Sequence, residues 1–334
     1  MMKALLSLQA GPPETLQLLE ADTPSPGTNE VRLRVHACAL NYTDLLLIED
    51  KYQYRPARPF SPGSEVAGII DAVGEGVDKW KPGDRVIAYM YHGGLAETAI
   101  VSEASIATLP ADRSFIDGAS FLIPYGTAYH ALTDRGCLRP DETLLVLGAT
   151  SNVGLAAVQL GKAIGAKVLA ATSSQQSVDI LEDAGADDVL VYDRPPLNPE
   201  ACKALSANFK ALTGRLGADV ILDTVGGPYT DAAIRAIGWD GRFLVVGFTA
   251  GIPSLPLNLL LMKRCQAIGV FWGPYMERSP ERYSELVQNL FELWDSGQIH
   301  PRRSRIFPLD QSREALETLR AGGNTGRLVI NVSK

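Results

Sequence analysis

From Asp141 onward the chain repeats one unit: a short apolar run, a turn, an amphipathic stretch, then another apolar run. Residues 143–147 (Thr-Leu-Leu-Val-Leu) are apolar without alternation, the pattern of a strand covered on both faces. A helix is predicted from about Asn152 to Ile164, closed by Gly165, and residues 167–171 form a second strand. A polar turn and a helix to about Ala184 follow, stopped by Gly185. Further strands are predicted at 188–191, 219–223 and 242–248, with a long helix before Asp219 and another near 229–237. A last strand, 266–271, extends the series. Strands that alternate with helices pair in parallel, and their crossovers cover both faces of the sheet. This half is therefore expected to be a doubly wound parallel α/β sheet.

The first turn of that sheet is Leu147-Gly148-Ala149-Thr150-Ser151-Asn152-Val153-Gly154. Small residues here let the backbone approach a pyrophosphate, and the helix that follows offers free amides and a positive dipole end. The GxGxxG template of a Rossmann sheet falls on Ala149, Ser151 and Gly154, so only its last glycine, the one that permits close helix packing, is kept. Ala149 and Ser151 are small, and Asn152 tolerates left-handed backbone. A plain small-residue turn is the competing reading. The second strand runs out into Ala171-Thr172-Ser173-Ser174-Gln175-Gln176-Ser177, with no acid before Asp179. An acid there would bond the ribose hydroxyls of NAD and repel a 2′-phosphate. Its absence favours NADPH, with NADH possible, since no Lys or Arg stands in the turn either.

Residues up to about 122 read differently. Residues 31–37 (Val-Arg-Leu-Arg-Val-His-Ala) alternate with period two, and 65–73 and 85–89 continue the pattern between Pro-Gly and Gly-Asp turns. A compact, mostly antiparallel β domain is expected. The tail carries a helix near 280–295, another near 311–321 and a strand at 327–332, and is expected to return to that first domain. A net charge of −7 argues against a nucleic-acid partner, because nothing would neutralise a run of phosphates. Arg302, Arg303 and Arg305 form the only basic knot, read as a solvated face. No apolar run reaches the ~18 residues of a membrane span. Four separated cysteines without a CxxC pair fit a reduced, cytoplasmic setting.

Several segments together resemble the medium-chain dehydrogenase/reductase superfamily, in its zinc-free quinone oxidoreductase branch. They are Ala39-Leu40-Asn41-Tyr42-Thr43-Asp44, Pro62-Gly63-Ser64-Glu65-Val66-Ala67-Gly68, Lys81-Pro82-Gly83-Asp84-Arg85-Val86 and Pro124-Tyr125-Gly126-Thr127-Ala128-Tyr129. Asp223-Thr224-Val225-Gly226-Gly227 and Thr325-Gly326-Arg327-Leu328-Val329 complete the set, in family order across nearly the whole chain. The resemblance implies a GroES-like, mostly β catalytic domain from residues 1–122 and 273–334, and a Rossmann domain over 123–272. It also implies a substrate cleft between them and a homodimer through the edge strands of the Rossmann sheets, for which Gly269-Val270-Phe271-Trp272 is apolar enough.

Zinc-dependent relatives carry Cys where this chain has Asn41 and His where it has Ser64, so two ligands are replaced by poor ones and no zinc site is expected. Without a metal, hydrogen-bond donors must stabilise the charge that develops on the acceptor oxygen. Quinones and enones, which delocalise that charge, are the expected substrates. By resemblance, Asn41 and Thr127 lie nearest the nicotinamide, Tyr52 is a pocket tyrosine and Tyr42 a further donor. Leu46 stands where some relatives have a tyrosine, so solvent is an alternative proton source. Ser151, Asn152, Val153, Gly154, Ser173, Ser174 and Tyr192 are carried over as cofactor contacts. Ser177 takes the place of a lysine that reaches the 2′-phosphate in relatives. Val225, Gly247, Phe248, Phe271 and Trp272 are expected on the nicotinamide side, Val225 and Phe248 having plain core as the other reading. Arg327 is expected to reach the phosphates or to pair with Asp44. The expected activity is an NADPH-dependent reductase of quinones or activated C=C or C=O bonds. The alternatives are an enoyl-thioester reductase and a dinucleotide-binding protein with a structural or regulatory role.

Overall fold

The computed structural model describes residues 1–192, 198–302, 304–322 and 326–333; Arg303 and Thr325 lie outside the described residues. The chain forms two compact units, one from residues 1–123, 276–287 and 301–334, the other from 124–275 and 288–300.

The second unit is built on six strands: β1 (Thr143–Leu147), β2 (Lys167–Thr172), β3 (Asp188–Val191), β4 (Ala218–Asp223), β5 (Ile237–Val245) and β6 (Gln266–Gly269). All pair in parallel, in the order β3-β2-β1-β4-β5-β6. Leu144 to Leu147, Val168 to Ala171 and Val220 to Leu222 are fully buried, as continuous apolar runs covered on both faces require. Helix α1 (Asn152–Ile164) crosses from β1 to β2. Ser151 caps it, its hydroxyl accepting from the Gly154 N–H at 3.0 Å, and Gly165 ends it in left-handed backbone at φ 97°.

Two boundaries differ from the sequence pattern. β5 begins at Ile237, where a helix end is expected, because its pairing with β4 jumps from Ala218↔Ile237 to Val220↔Arg242. The extra residues form a bulge, with Asp240 at φ 57° between Gly238 and Gly241 and Trp239 turned outward. At the sheet's end β6 stops at Gly269, and Trp272 opens a helix, Trp272–Arg278, instead of continuing the edge. Tertiary packing explains the stop: Trp272 lies so close against Gly126 that a Cβ there would sit 2.6 Å from its ring.

In the first unit the strand Glu30–Ala39 is central and pairs antiparallel with Glu65–Val73, Thr98–Ser102 and Arg327–Asn331. Glu65–Val73 pairs with Arg85–Tyr89, which pairs with Ile106–Thr108, all antiparallel; Ser304–Pro308 lies parallel to Arg327–Asn331. The tail thus returns to the sheet of the N-terminal strands. This unit also holds short helices that periodicity did not signal, Tyr42–Ile48 among them. Among the described residues no helix is long and apolar enough to cross a membrane.

Among the described glycines of the parallel unit, Gly154, where α1 meets the turn before it, would place a Cβ closest to its neighbours. A Cβ on Gly154 would lie 2.2 Å from the Gly148 carbonyl oxygen and 2.8 Å from Ala149 Cα, both backbone. We expect Gly154→Ala to cost about 1–3 kcal/mol, lowering Tm by roughly 2–12 °C. Thermal unfolding followed by circular dichroism checks this, and an unchanged Tm would refute the close approach.

Candidate active site

Six parallel strands end along one edge of their sheet, and the turns that leave it there bring together almost every residue expected to hold a dinucleotide. Ser151 to Gly154 follow β1, Ser173 and Ser174 follow β2, and Tyr192 follows β3. Val225 follows β4, Gly247 and Phe248 follow β5, and Phe271 and Trp272 follow β6. β1 and β4 are neighbours in the sheet although two other strands intervene in sequence, so the crevice at their ends is the topological switch point.

The turn after β1 is organised by Gly148, not by the positions on which the strict glycine template falls. Gly148 has φ +67°, and a Cβ there would meet Thr224 Oγ1 at 2.4 Å. Thr224 Oγ1 donates to the Leu147 carbonyl at 3.0 Å and stands 3.5 Å from Ser151 Oγ, stitching the β1 and β4 turns together. Asp223, buried at the end of β4, accepts from the N–H groups of Val225 and Gly226 at 2.8 and 2.9 Å and from the Thr230 hydroxyl. Burial raises its pKa. That anchor holds Gly226 and Gly227 in positive φ at the start of the helix Gly227–Ile234.

After β2, the Ser174 N–H donates to Thr172 Oγ1 at 3.2 Å, Ser173 and Ser174 are half-buried, and Gln175 and Gln176 are exposed. Ser177 points inward and is only 6% exposed. Tyr192 is packed into the core, its ring 4.9 Å from Tyr229 and 6.5 Å from Phe209. Val225 packs on the same core, whereas Phe248 and Phe271 are exposed. Thr127 is half-buried on the helix Leu122–Tyr129, one residue from the Gly126 that touches Trp272.

In the first unit Asn41 caps the helix Tyr42–Ile48 and forms a capping box with Asp44. The Asp44 carboxylate accepts from the Asn41 N–H at 2.7 Å and from the Gly63 N–H at 3.1 Å. Asn41 is buried and donates from Nδ2 to Glu65 Oε2 at 3.3 Å, while Glu65 Oε1 accepts from the Ile123 N–H at 3.0 Å. Arg327 is buried too; its Nη1 donates to Ser120 Oγ at 3.0 Å, and its charge acts on Glu65. Tyr42 is 44% exposed, and Tyr52 is half-buried against the core of this unit.

Two fully buried carboxyl groups were legible as motif letters but not as a pair. Burial pushes Asp44 up to about 6 against the pull of its amide donors. Burial likewise pushes Glu65 up to about 7, opposed by Arg327 and by the Ile123 and Asn41 donors. Burial and these two acids raise the Cys38 thiol well above its usual range. Burial, then Asp44, raises Tyr52. Tyr89 and Tyr91, 5.8 Å apart, add two more phenols that sequence reasoning passed over; burial and then Glu277 push Tyr91 up to about 12. Nothing in the local pattern flagged them, because their proximity to Tyr52 arises only when the sheet forms.

The positions where zinc relatives place ligands hold the Asn41 amide and the buried Ser64 hydroxyl, and the nearby Cys38 is held as a thiol. This donor set does not fit zinc. Among the described residues no group of three His, Cys, Asp or Glu side chains is arranged to hold a metal ion.

The raised acids carry a stability consequence. Between an unfolded value of 4.5 and a folded value of about 7, native Glu65 keeps a proton that the unfolded chain has lost, so stability falls as pH rises through that window. Relative to Glu65→Gln, the wild type should lose about 2–3 kcal/mol between pH 5 and pH 8. Urea unfolding of both proteins across that range reads the difference; a constant difference would mean that Glu65 titrates like a surface carboxylate.

Comparisons with known proteins agree with this architecture. Residues 27–111 match the alcohol dehydrogenase GroES-like domain and residues 152–292 the zinc-binding dehydrogenase family. The chain is 35% identical to a quinone oxidoreductase-like protein 2 homolog of Nematostella vectensis, over 93% of this chain and 84% of that one. It is 31% identical to the quinone oxidoreductase of Homo sapiens, over 99% of this chain and 98% of that one. A mycobacterial protein solved in complex with NADPH superposes with a TM-score of 0.91 at 26% identity, covering 99% of this chain and 100% of the other. The chain belongs to the quinone oxidoreductase branch of the medium-chain dehydrogenase/reductase superfamily and is an oxidoreductase.

Proposed function

We propose that the chain is a zinc-independent, NADPH-dependent reductase of quinones and other acceptors with an activated C=C or C=O bond. The observation that carries this reading is the β1–β4 switch point, where Gly148 at φ +67° packs so closely under Thr224 and Val225 that a side chain at 148 would collide with both, and the capping Ser151 opens the first turn of α1. The N-terminal amides of α1 and its dipole suit a pyrophosphate. The turn after β2 offers Ser173, Ser174 and two exposed glutamines without an acid, which suits a 2′-phosphate, and the mycobacterial neighbour was solved with NADPH.

The dinucleotide, when bound, supplies the hydride. The protein's part is to position it and to meet the negative charge that develops on the acceptor oxygen. Asn41, Tyr42, Tyr52 and Thr127 are assigned that work as hydrogen-bond donors, in place of a Lewis acid. Tyr52, raised by burial and Asp44, keeps its proton through the neutral range and is suited to donate a hydrogen bond rather than to act as a base. Ser151, Asn152, Val153, Gly154, Ser173 and Ser174 are assigned to the phosphates and ribose; Val225, Gly247, Phe248, Phe271 and Trp272 are assigned to the nicotinamide side. Arg327, facing Glu65, is assigned to the buried acid rather than to the phosphates. β6 ends the sheet with an open edge among the described residues, which supports a homodimer through paired sheets.

Mixing the protein with NADPH and a panel of ortho-quinones, para-quinones and enones, and following loss of nicotinamide absorbance, tests this reading. Turnover with several of these acceptors is expected; tight NADPH binding with no turnover of any would overturn it. Asn41→Ala and Thr127→Ala should each lower kcat/KM at least about tenfold. NADPH should bind more tightly than NADH, and equal affinities would remove the role given to the Ser173–Ser174 turn. Elemental analysis of purified protein should find well below one zinc per chain.

A further inference from the structure

Asn41 is gripped at its backbone by the Asp44 carboxylate and at its side chain by the Asp44 N–H of the capping box and by Glu65, and the grip of Glu65 has a chemical direction. A carboxylate can only accept, so an ionised Glu65 can face Nδ2 but not Oδ1. Turning the Asn41 amide over would set two acceptors against each other at the 3.3 Å now spanned by a hydrogen bond, in a place closed to water. A protonated Glu65 is itself a donor and can receive either end. The two orientations of the amide are therefore of unequal energy when Glu65 is charged, and closer in energy when it is not.

We propose that Glu65 is a positioning residue for Asn41: its charged form acts with the capping box to fix which end of the Asn41 amide is offered to the bound dinucleotide, and its protonation releases its share of that hold. The proposal rests on the reading of Asn41 as a dinucleotide-side residue. The surroundings of Glu65 make the release accessible near neutrality. Arg327 faces it from the strand Arg327–Asn331 and favours the charged form. Cys38 on Glu30–Ala39 and Tyr283 on Pro280–Asp295 lie within its field, Asp44 on the helix Tyr42–Ile48 acts with it on Cys38, and Arg302 stands against Arg327. Burial opposes the charge, and the balance falls at about 7. A residue that merely anchored the start of the helix Leu122–Tyr129 through the Ile123 N–H would need no such balance.

The test uses full-length protein carrying 15N only in asparagine. The side-chain amide signals of Asn41, assigned by their loss in Asn41→Ala, should move with a midpoint near pH 7 in the free wild type. In Glu65→Gln that step should vanish, leaving only the contribution of Asp44 at about 6. Signals that stay fixed through the neutral range in the wild type overturn the proposal without need of any variant, and so does a step that persists in Glu65→Gln. A second arm measures NADPH affinity by quenching of protein fluorescence at pH 8. Glu65→Gln should weaken binding at least about fivefold, and less than about twofold in an Asn41→Ala background. An equal loss in both backgrounds would make Glu65 a structural anchor only. If the amide titrates as described and NADPH does not bind, the function proposed above falls while the control of Asn41 by Glu65 stands.

Discussion

Parallel pairing is the constraint on which the rest of this molecule depends. A strand that must run beside its predecessor in the same direction obliges the chain to cross back over a face of the sheet, so both faces are covered and every strand ends at the same edge. In the second unit that rule puts the turns after all six strands side by side, with β1 and β4 adjacent at the switch point. Two close glycine contacts follow from it. Gly154 gives α1 its approach to the turn, and Gly148 gives that turn its left-handed bend under Thr224. Asp223 then fixes the matching turn on β4 through two backbone N–H groups and a hydroxyl.

The first unit solves a different problem: how to bury two acids. Asp44 finds backbone amides from Asn41 and Gly63, and Glu65 finds the Ile123 amide, the Asn41 side chain and the field of Arg327. Neither set is strong enough to hold its acid at the ordinary carboxylate pKa, and both stay raised. Their charge is moderated by proton uptake and, at Glu65, by the buried guanidinium of Arg327.

Much of the architecture was legible because apolar periodicity and glycine punctuation are local signals. The apolar runs at 143–147 and 188–191, and the helix that Ser151 and Gly165 bracket, stand where the pattern puts them. Where the pattern misled, a long-range contact decided. Ile237 enters a strand because the bulge at 238–241 lets it pair with Ala218, and β6 stops at Gly269 because Trp272 is needed against Gly126. The short helix Tyr42–Ile48 is too brief to show a period. At the candidate site, Ser151 and Gly154 were readable from their place after a buried strand. The importance of Gly148 was hidden, since only the backbone torsion separates it from a neighbouring small residue. Glu65 was visible as a letter in Gly63-Ser64-Glu65, but its burial beside Asn41 and Arg327 is a product of three strands and a turn converging.

Under the proposed function, the inward turn of Ser177 limits how a nucleotide preference could be redesigned. Its side chain is 6% exposed at the start of the helix Val178–Asp183, so an ammonium introduced there would have to be desolvated or would pry the turn open before it reached any phosphate. Gln175 and Gln176, exposed in the same turn, can carry a longer or charged side chain at no such cost. If that function holds, selection for altered nucleotide use would find its accessible routes at those two positions and meet a barrier at Ser177.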